Sequence, residues 1–369
     1  MTDELKIIFS LFKTEGTYSE GQPFGSGHIH DTFLIRTIED NRDDYILQRL
    51  NNNVFRDIPS MQDNIGRVTE HIRCKLMAQG KRDLKRECLT PVPALDGKNY
   101  LTDDSGAFWR IYIFISDHRS YDIVDNPDKA YQGGKAIGRF QALLSDLPPP
   151  PLHETIPFFH NVEKRLTLLH DMIKSDPAGR VKEVVNEIGF IEEREDKMKI
   201  ILQLGEAGRI PVRITHNDTK FNNVLFDSDD RALCIIDLDT VMPGYVHYDF
   251  GDAIRTAANT ASEDEVDLSL VGMDIALYSS FARGYLEETI QTLNSTEVEH
   301  LAFSPQLITY IMGLRFLTDY IDGDRYFRIH HKHHNLQRAK AQFKLVESME
   351  SQYPEMKRII TDIYRNLNL

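Results

Sequence analysis

The sequence predicts an α+β chain of two unequal parts, residues 1–115 and residues 116–369, the first rich in strands and the second mainly helical. Three observations carry this. Short apolar runs punctuated by turn formers are concentrated before Ile115. Three- and four-residue apolar spacing dominates after it. One β-rich island, Ile210 to Met242, interrupts the helical part and holds the densest polar chemistry of the chain.

In order along the chain, Thr32-Phe33-Leu34-Ile35 and Tyr45-Ile46-Leu47 flank a polar turn at Asp40-Asn41 and predict a hairpin behind a Gly-rich stretch. Ile65, Val68, Ile72, Leu76 and Met77 predict an amphipathic helix. Tyr100–Thr102 and Trp109–Ile115 predict two extended segments around the turn Asp103-Asp104-Ser105-Gly106. Helical periodicity then recurs over 130–144, 162–174, 181–204, 265–292, 305–320 and 334–351. Four prolines, Pro148–Pro151, lack amide donors and must end the preceding helix in a surface loop.

The chain has 43 Lys+Arg against 57 Asp+Glu, a formal charge of -14, which disfavours nucleic acid and anionic membranes as partners because both are bound through cations. With 41% hydrophobic residues it can bury a core. No apolar stretch suits a bilayer span, and the acidic start Met1-Thr2-Asp3-Glu4 is unlike a secretory signal, so a cytoplasmic location is expected. Cys74, Cys88 and Cys234 form no CxxC and read as reduced thiols. No obligate protein partner is evident.

The chemistry is concentrated in His216-Asn217-Asp218-Thr219-Lys220-Phe221-Asn222-Asn223, followed by Cys234-Ile235-Ile236-Asp237-Leu238-Asp239. Val224–Phe226 and Cys234–Ile236 predict short strands joined at Asp227–Asp230, so that Asn223 and Asp237 converge at one end of a hairpin. A carboxylate (Asp218) can orient a hydroxyl and take its proton, while an amide oxygen (Asn223) and a second carboxylate (Asp237) suit a hard cation such as Mg²⁺. Lys220 is placed for anionic oxygens. Phosphoryl transfer needs this set, since its transition state is mainly negative charge to be neutralised. Any one of these acids alone would read as a turn former.

His-x-Asp with Asn five residues after the Asp, then an apolar-flanked Asp, resembles the catalytic loop and metal ligand of the protein-kinase-like fold. The match is to the aminoglycoside phosphotransferase and choline kinase superfamily, since Ile236-Asp237-Leu238-Asp239 stands where protein kinases have Asp-Phe-Gly and their Ala-Pro-Glu is missing. Within it the chain is similar to N-acetylhexosamine 1-kinases through Leu47–Asn51, Asn53–Phe55, His153–Pro157, His216–Val224, Ile236–Gly244 and Leu314–Tyr320. The resemblance implies two lobes, Mg²⁺ and ATP, and phosphorylation of the anomeric hydroxyl of N-acetylglucosamine or N-acetylgalactosamine. The alternatives are a kinase of choline, an amino alcohol or an aminoglycoside, and a non-catalytic binding module. Tyr248–Asp252 fits the family's acid that supports the catalytic loop.

On the nucleotide side, Gly25-Ser26-Gly27 has the place of a phosphate-covering loop. The strand Tyr45–Leu50 lacks the lysine of protein kinases. Arg49 or Gln48 could replace it, with Glu70 on the following helix as the orienting partner, or Arg49 is simply an edge charge. Ser116-Asp117 would lie in the hinge that meets adenine. For the acceptor, the resemblance implies contacts from Asp239, Arg315 and Tyr326 beside Asp218, with a salt bridge as the plain alternative for Arg315. Four imidazoles in His330–His334 read as a solvated helix start, not a metal site, and Glu192–Lys197 as an exposed helix face.

Overall fold

The structure, a computed structural model, describes residues 2–25 and 29–368. The amino-terminal part is a six-stranded sheet built from β1 (Tyr18–Pro23), β2 (Asp31–Thr37), β3 (Tyr45–Leu50), β4 (Pro91–Val92), β5 (Leu101–Thr102) and β6 (Phe108–Ile113). β1, β2, β3, β6 and β4 lie in that order, all pairs antiparallel, with β5 also on β6. The expected hairpin is β2–β3. A helix that apolar spacing did not reveal, α1 (Thr2–Ser10), covers one sheet face with Leu5, Ile8 and Phe9 against Ile35, Leu47, Trp109 and Ile111.

The other face meets α2 (Ile58–Ala78), the predicted amphipathic helix, whose Asp57 cap accepts from the Ser60 amide. The short α3 (Leu84–Glu87) follows. Ile65, Val68, Ile72 and Leu76 of α2 join a core that continues into α4 (Pro127–Leu144). The helical part then comprises α5 (Val162–Ser175), α6 (Val185–Glu192), α7 (Glu195–Met198), α8 (Ile200–Glu206), α9 (Val246–Ala257), α10 (Ile275–Thr289), α11 (Ser295–Leu301), α12 (Ser304–Asp322) and α13 (His334–Leu367).

Two expected helices are corrected. The stretch 181–204 breaks into a 3₁₀ turn and three short helices, because Arg194 turns inward over the Phe190 ring and onto Glu350 of α13, and Glu192–Lys197 is not one exposed face. Residues 265–274 precede α10 as turns, since Asp267 and Asp274 each bond a nearby amide and start a turn or a helix there. Among the described residues no helix is long and apolar enough to cross a membrane.

The helices also set the chemistry in place. α4 and α10 cross with almost no gap: a Cβ on Gly134 would lie 2.1 Å from the Phe281 carbonyl oxygen, and one on Gly284 2.1 Å from that of Tyr131. This approach lets the Tyr285 hydroxyl donate to Gln141 at 2.5 Å, and Gln141 in turn donates to Asp249 of α9 at 2.8 Å.

Candidate active site

Asp249 organises the loop that carries Asp218. Its carboxylate accepts from the amides of His216 (2.9 Å) and Asn217 (2.7 Å), two donors that a tight loop would otherwise leave unpaired. Of the two acids expected as support, this is Asp249; Asp252 pairs with Arg255 and receives only a long 3.5 Å contact from Thr219. Asn217 is in the left-handed region (φ 65°), and its side chain holds the carbonyls of Thr215 and Thr240.

The hairpin comes next. β7 (Arg213–Thr215) pairs with β10 (Met242–Gly244), and β8 (Val224–Phe226) pairs with β9 (Ala232–Ile235), register Val224 to Ile235. Asn223 and Asp237 flank it as expected, with the Ile236 amide donating to the Asn223 carbonyl at 3.0 Å. His216 ties the two halves together: Nε2 meets the Ile236 carbonyl at 2.9 Å and Nδ1 accepts from the Asp218 amide at 3.3 Å, a pattern that sets the Nε2–H tautomer.

Asp218, Lys220, Asn223 and Asp237 therefore share one end of the hairpin. Lys220 Nζ lies 3.3 Å from Asp218 Oδ2, and that carboxylate raises the lysine pKa. The Asn223 amide donates to the Asp218 carbonyl at 2.8 Å, which leaves its own side-chain oxygen without a donor among the described residues. Asp237 is in the left-handed region (φ 62°) and has no ion pair among the described residues. Water reaches it in the open cleft, yet the surrounding protein, with Asp239 and Asp218 nearby, raises its pKa above the usual carboxylate range.

An unpaired carboxylate beside a free amide oxygen is a donor set that fits Mg²⁺, which takes few protein ligands and completes its shell with phosphate and water oxygens. Among the described residues no group of three His, Cys, Asp or Glu could hold a metal by itself. His334 starts α13, where it accepts from the His330 amide and lies 3.2 Å from Asp264.

Across the cleft the sheet departs from expectation. Arg49 is paired in register with Trp109 and its guanidinium lies over that ring, on the face that packs against α1 and away from the cleft. Glu70 is exposed and pairs with Arg73 in its own helix. Neither meets the other. The cleft face of β3 carries Gln48, whose register partner on β6 is Arg110. Arg110 donates to Gln48 at 2.8 Å and makes a two-pronged ion pair with Asp239, with both side chains nearly inaccessible. Burial alone would push Arg110 down and Asp239 up; their pairing outweighs it in both.

His30 adds a bond from Nε2 to Asp239 at 2.6 Å while its Nδ1 accepts from the Asn51 amide. Both oxygens of Asp239 are thus engaged and its side chain is nearly inaccessible, so in place of the expected acceptor contact it fastens the hairpin to the sheet. Arg110 and His30 escaped the reading, although an Arg within the apolar strand Phe108–Ile113 is itself the signal of a buried pair.

Gly25 lies at the entry of the β1–β2 loop (φ 79°), whereas Ser26 and Gly27 lie outside the described residues. The carbonyls of Ser116 and Asp117, in the expected hinge, accept from Arg86 at 2.7 and 3.2 Å. On the acceptor side, α12 ends at Asp322, so Tyr326 is on the loop beyond it and is 61% exposed. Arg315 is buried under it with no ion pair among the described residues; its guanidinium lies 5.0, 5.4 and 5.8 Å from the rings of Phe159, Phe327 and Tyr326. His160, next to Phe159, reaches the Asn217 carbonyl at 3.0 Å, which puts this aromatic cluster beside the Asp218 loop.

The fold has known counterparts. An aminoglycoside phosphotransferase from Alicyclobacillus acidocaldarius subsp. acidocaldarius superposes with a TM-score of 0.57 at 11% identity, over 98% of this chain and 96% of that one. Spectinomycin phosphotransferase, solved with ADP and spectinomycin, gives 0.57 at 11% identity, over 96% and 99%. Choline kinase LicA from Streptococcus pneumoniae gives 0.53 at 16% identity, over 95% and 98%. These likenesses establish a shared protein-kinase-like α+β fold. The model of the phosphotransferase enzyme family matches residues 20–288, which includes β2 to β6, most of β1 and the whole β8–β9 hairpin, so the chain belongs to that family, the aminoglycoside phosphotransferase type of small-molecule phosphotransferase.

Proposed function

We propose that the protein is a Mg²⁺- and ATP-dependent kinase that phosphorylates the anomeric hydroxyl of an N-acetylhexosamine, N-acetylglucosamine or N-acetylgalactosamine, to the 1-phosphate. The observation that carries it is the meeting of Asp218, Lys220, Asn223 and Asp237 at one end of the hairpin, with Asp237 lacking an ion pair among the described residues.

Asp218 orients the hydroxyl and accepts its proton as the oxygen bonds the γ-phosphorus. The bond to the β–γ bridging oxygen breaks in line, and ADP leaves with that electron pair. Lys220 faces the anionic oxygens. Asn223 and Asp237 would hold the metal, which when bound would neutralise charge on the phosphates. Gly25 stands at the phosphate side, and the Arg110–Asp239–His30 group keeps the sheet and the hairpin at a fixed distance.

For the acceptor, the support is Arg315. A quaternary or primary ammonium needs an aromatic cage or carboxylates, but here a guanidinium already occupies the box made by Phe159, Tyr326 and Phe327 and offers only donors. Such a wall suits oxygen-rich acceptors and repels choline, amino alcohols and aminoglycosides. The test is ADP release from Mg-ATP with amino sugars, hexoses, choline and aminoglycosides, and phosphorus NMR of the product. A sugar 1-phosphate is expected. Turnover confined to cationic acceptors would overturn the sugar reading, and nucleotide binding without turnover on any acceptor would make the protein a binding module.

A further inference from the structure

Arg315 is not alone. Arg165 on α5 is partly buried beside it and donates from Nε and Nη2 to the Phe159 carbonyl at 3.1 and 2.9 Å, so one backbone oxygen takes both donors. Arg315 itself has rings on three sides and one weak contact, to Met312 Sδ. Among the described residues neither arginine has a carboxylate within ion-pair reach. That contrasts with the buried Arg110 and Arg255 and the half-buried Arg180 and Arg213, each of which is paired with an acid. In a chain with 14 more acids than bases, two adjacent guanidiniums without one are not a matter of supply. Sequestering such charges costs several kcal/mol unless a counter-charge arrives.

The neighbours feel the same burial and charge. Burial and then Arg315 push the Arg165 pKa down to about 10, and His160 is pushed down to about 4 by burial, with both arginines adding to the effect. His160 is therefore neutral. Its Nε2 is spent on the Asn217 carbonyl, and its buried Nδ1 is an acceptor with no donor among the described residues. A cationic pair and an open acceptor thus lie one side chain away from the loop of Asp218, and the exposed Tyr326 marks the solvent side.

We propose that Arg165 and Arg315 form an anion subsite of the acceptor pocket, so that the preferred acceptor is a sugar carrying a carboxylate besides the hydroxyl that is phosphorylated. This rests on the reading that the acceptor meets Asp218. With Nε and Nη2 of Arg165 spent on the Phe159 carbonyl, its Nη1 and the Arg315 guanidinium are the donors left for a carboxylate, and charge-assisted N–H bonds from both fix its orientation as well as its affinity. Arg165 becomes a specificity residue, and the acceptor is anionic.

The test uses Mg-ATP and the full chain, with N-acetylglucosamine, its C6 uronic acid, its 3-O-carboxymethyl ether, the methyl ester of each acid, and a simple hydroxy acid. For at least one acid, kcat/KM should exceed that of its own ester by about tenfold or more, through KM, as befits a charge-assisted bond. Arg165→Gln should erase that gap, and Arg315→Lys should reduce it; melting curves check that the variants fold. Acid and ester used equally, or a gap that survives Arg165→Gln, overturns the subsite.

The sugar reading fails separately. Equal turnover of N-acetylglucosamine, acids and esters keeps that reading and sinks the subsite. Phosphorylation of the hydroxy acid but of no sugar, with the same dependence on Arg165, does the reverse. If neither variant folds, 3-O-carboxymethyl N-acetylglucosamine is titrated calorimetrically into wild type against its ester; tighter binding of the acid that fades with salt supports the subsite, and equal binding overturns it.

Discussion

The two walls of the cleft are built on different length scales. In the hairpin wall, the groups that meet come from one stretch of chain, His216 to Asp237, and hold each other through short-range bonds: His216 to Ile236, Asn223 to Asp218, Lys220 to Asp218. In the sheet wall nothing is local. Arg110 faces the cleft because β6 lies beside β3 in a register that pairs it with Gln48, and it finds Asp239 at a separation of 129 residues. A one-residue change of register would have exchanged Arg110 for Trp109 and Gln48 for Arg49. Local spacing therefore specifies the chemistry of one wall, and strand register specifies the charge of the other.

Asp218→Asn breaks the hairpin wall at its reacting group. The variant should lose about 10³-fold in kcat, the range of a general base, while nucleotide affinity measured by calorimetry stays within a few-fold. Retained turnover would show that the proton leaves by another route.

The sheet wall answers to a stability measurement. Arg110→Ala strands a buried carboxylate and should cost about 3–5 kcal/mol in denaturant unfolding, whereas Arg49→Ala, on the outer face, should cost under about 1 kcal/mol. Equal costs would erase the distinction between the two faces of β3 and β6.

The smallest effect concerns pH. Burial pushes His160 down to about 4 and His247 to about 3, each below the unfolded value near 6.5. Unfolded chains then bind more protons, so their contribution is complete above about pH 6.5 and is lost as pH falls toward 4. The melting temperature should drop from pH 7 to pH 5 with proton uptake on unfolding, and a flat profile would mean that these imidazoles are protonated in the fold.

Much of the fold was legible. β2, β3, β6, α2, α4, α5 and α12 follow the apolar pattern closely, because each buries one face against a core. α1 was missed because its apolar Leu5, Ile8 and Phe9 span little more than one turn beside charged residues. The run 181–204 looked continuous because its apolar spacing persists through three short helices, and only the inward turn of Arg194 separates them.

At the site, the identity of Asp218, Asn223 and Asp237, and their meeting at one hairpin, were determined by the sequence, since bonds between near neighbours need only a turn and a short register. The choice of Asp249 over Asp252, the burial of Arg110 against Asp239, and the pairing of Arg165 with Arg315 were decided by tertiary structure. Each depends on which face of a strand or helix turns toward a partner far away in the chain, and on whether burial leaves that partner a counter-charge. Spacing along the chain carries no record of either.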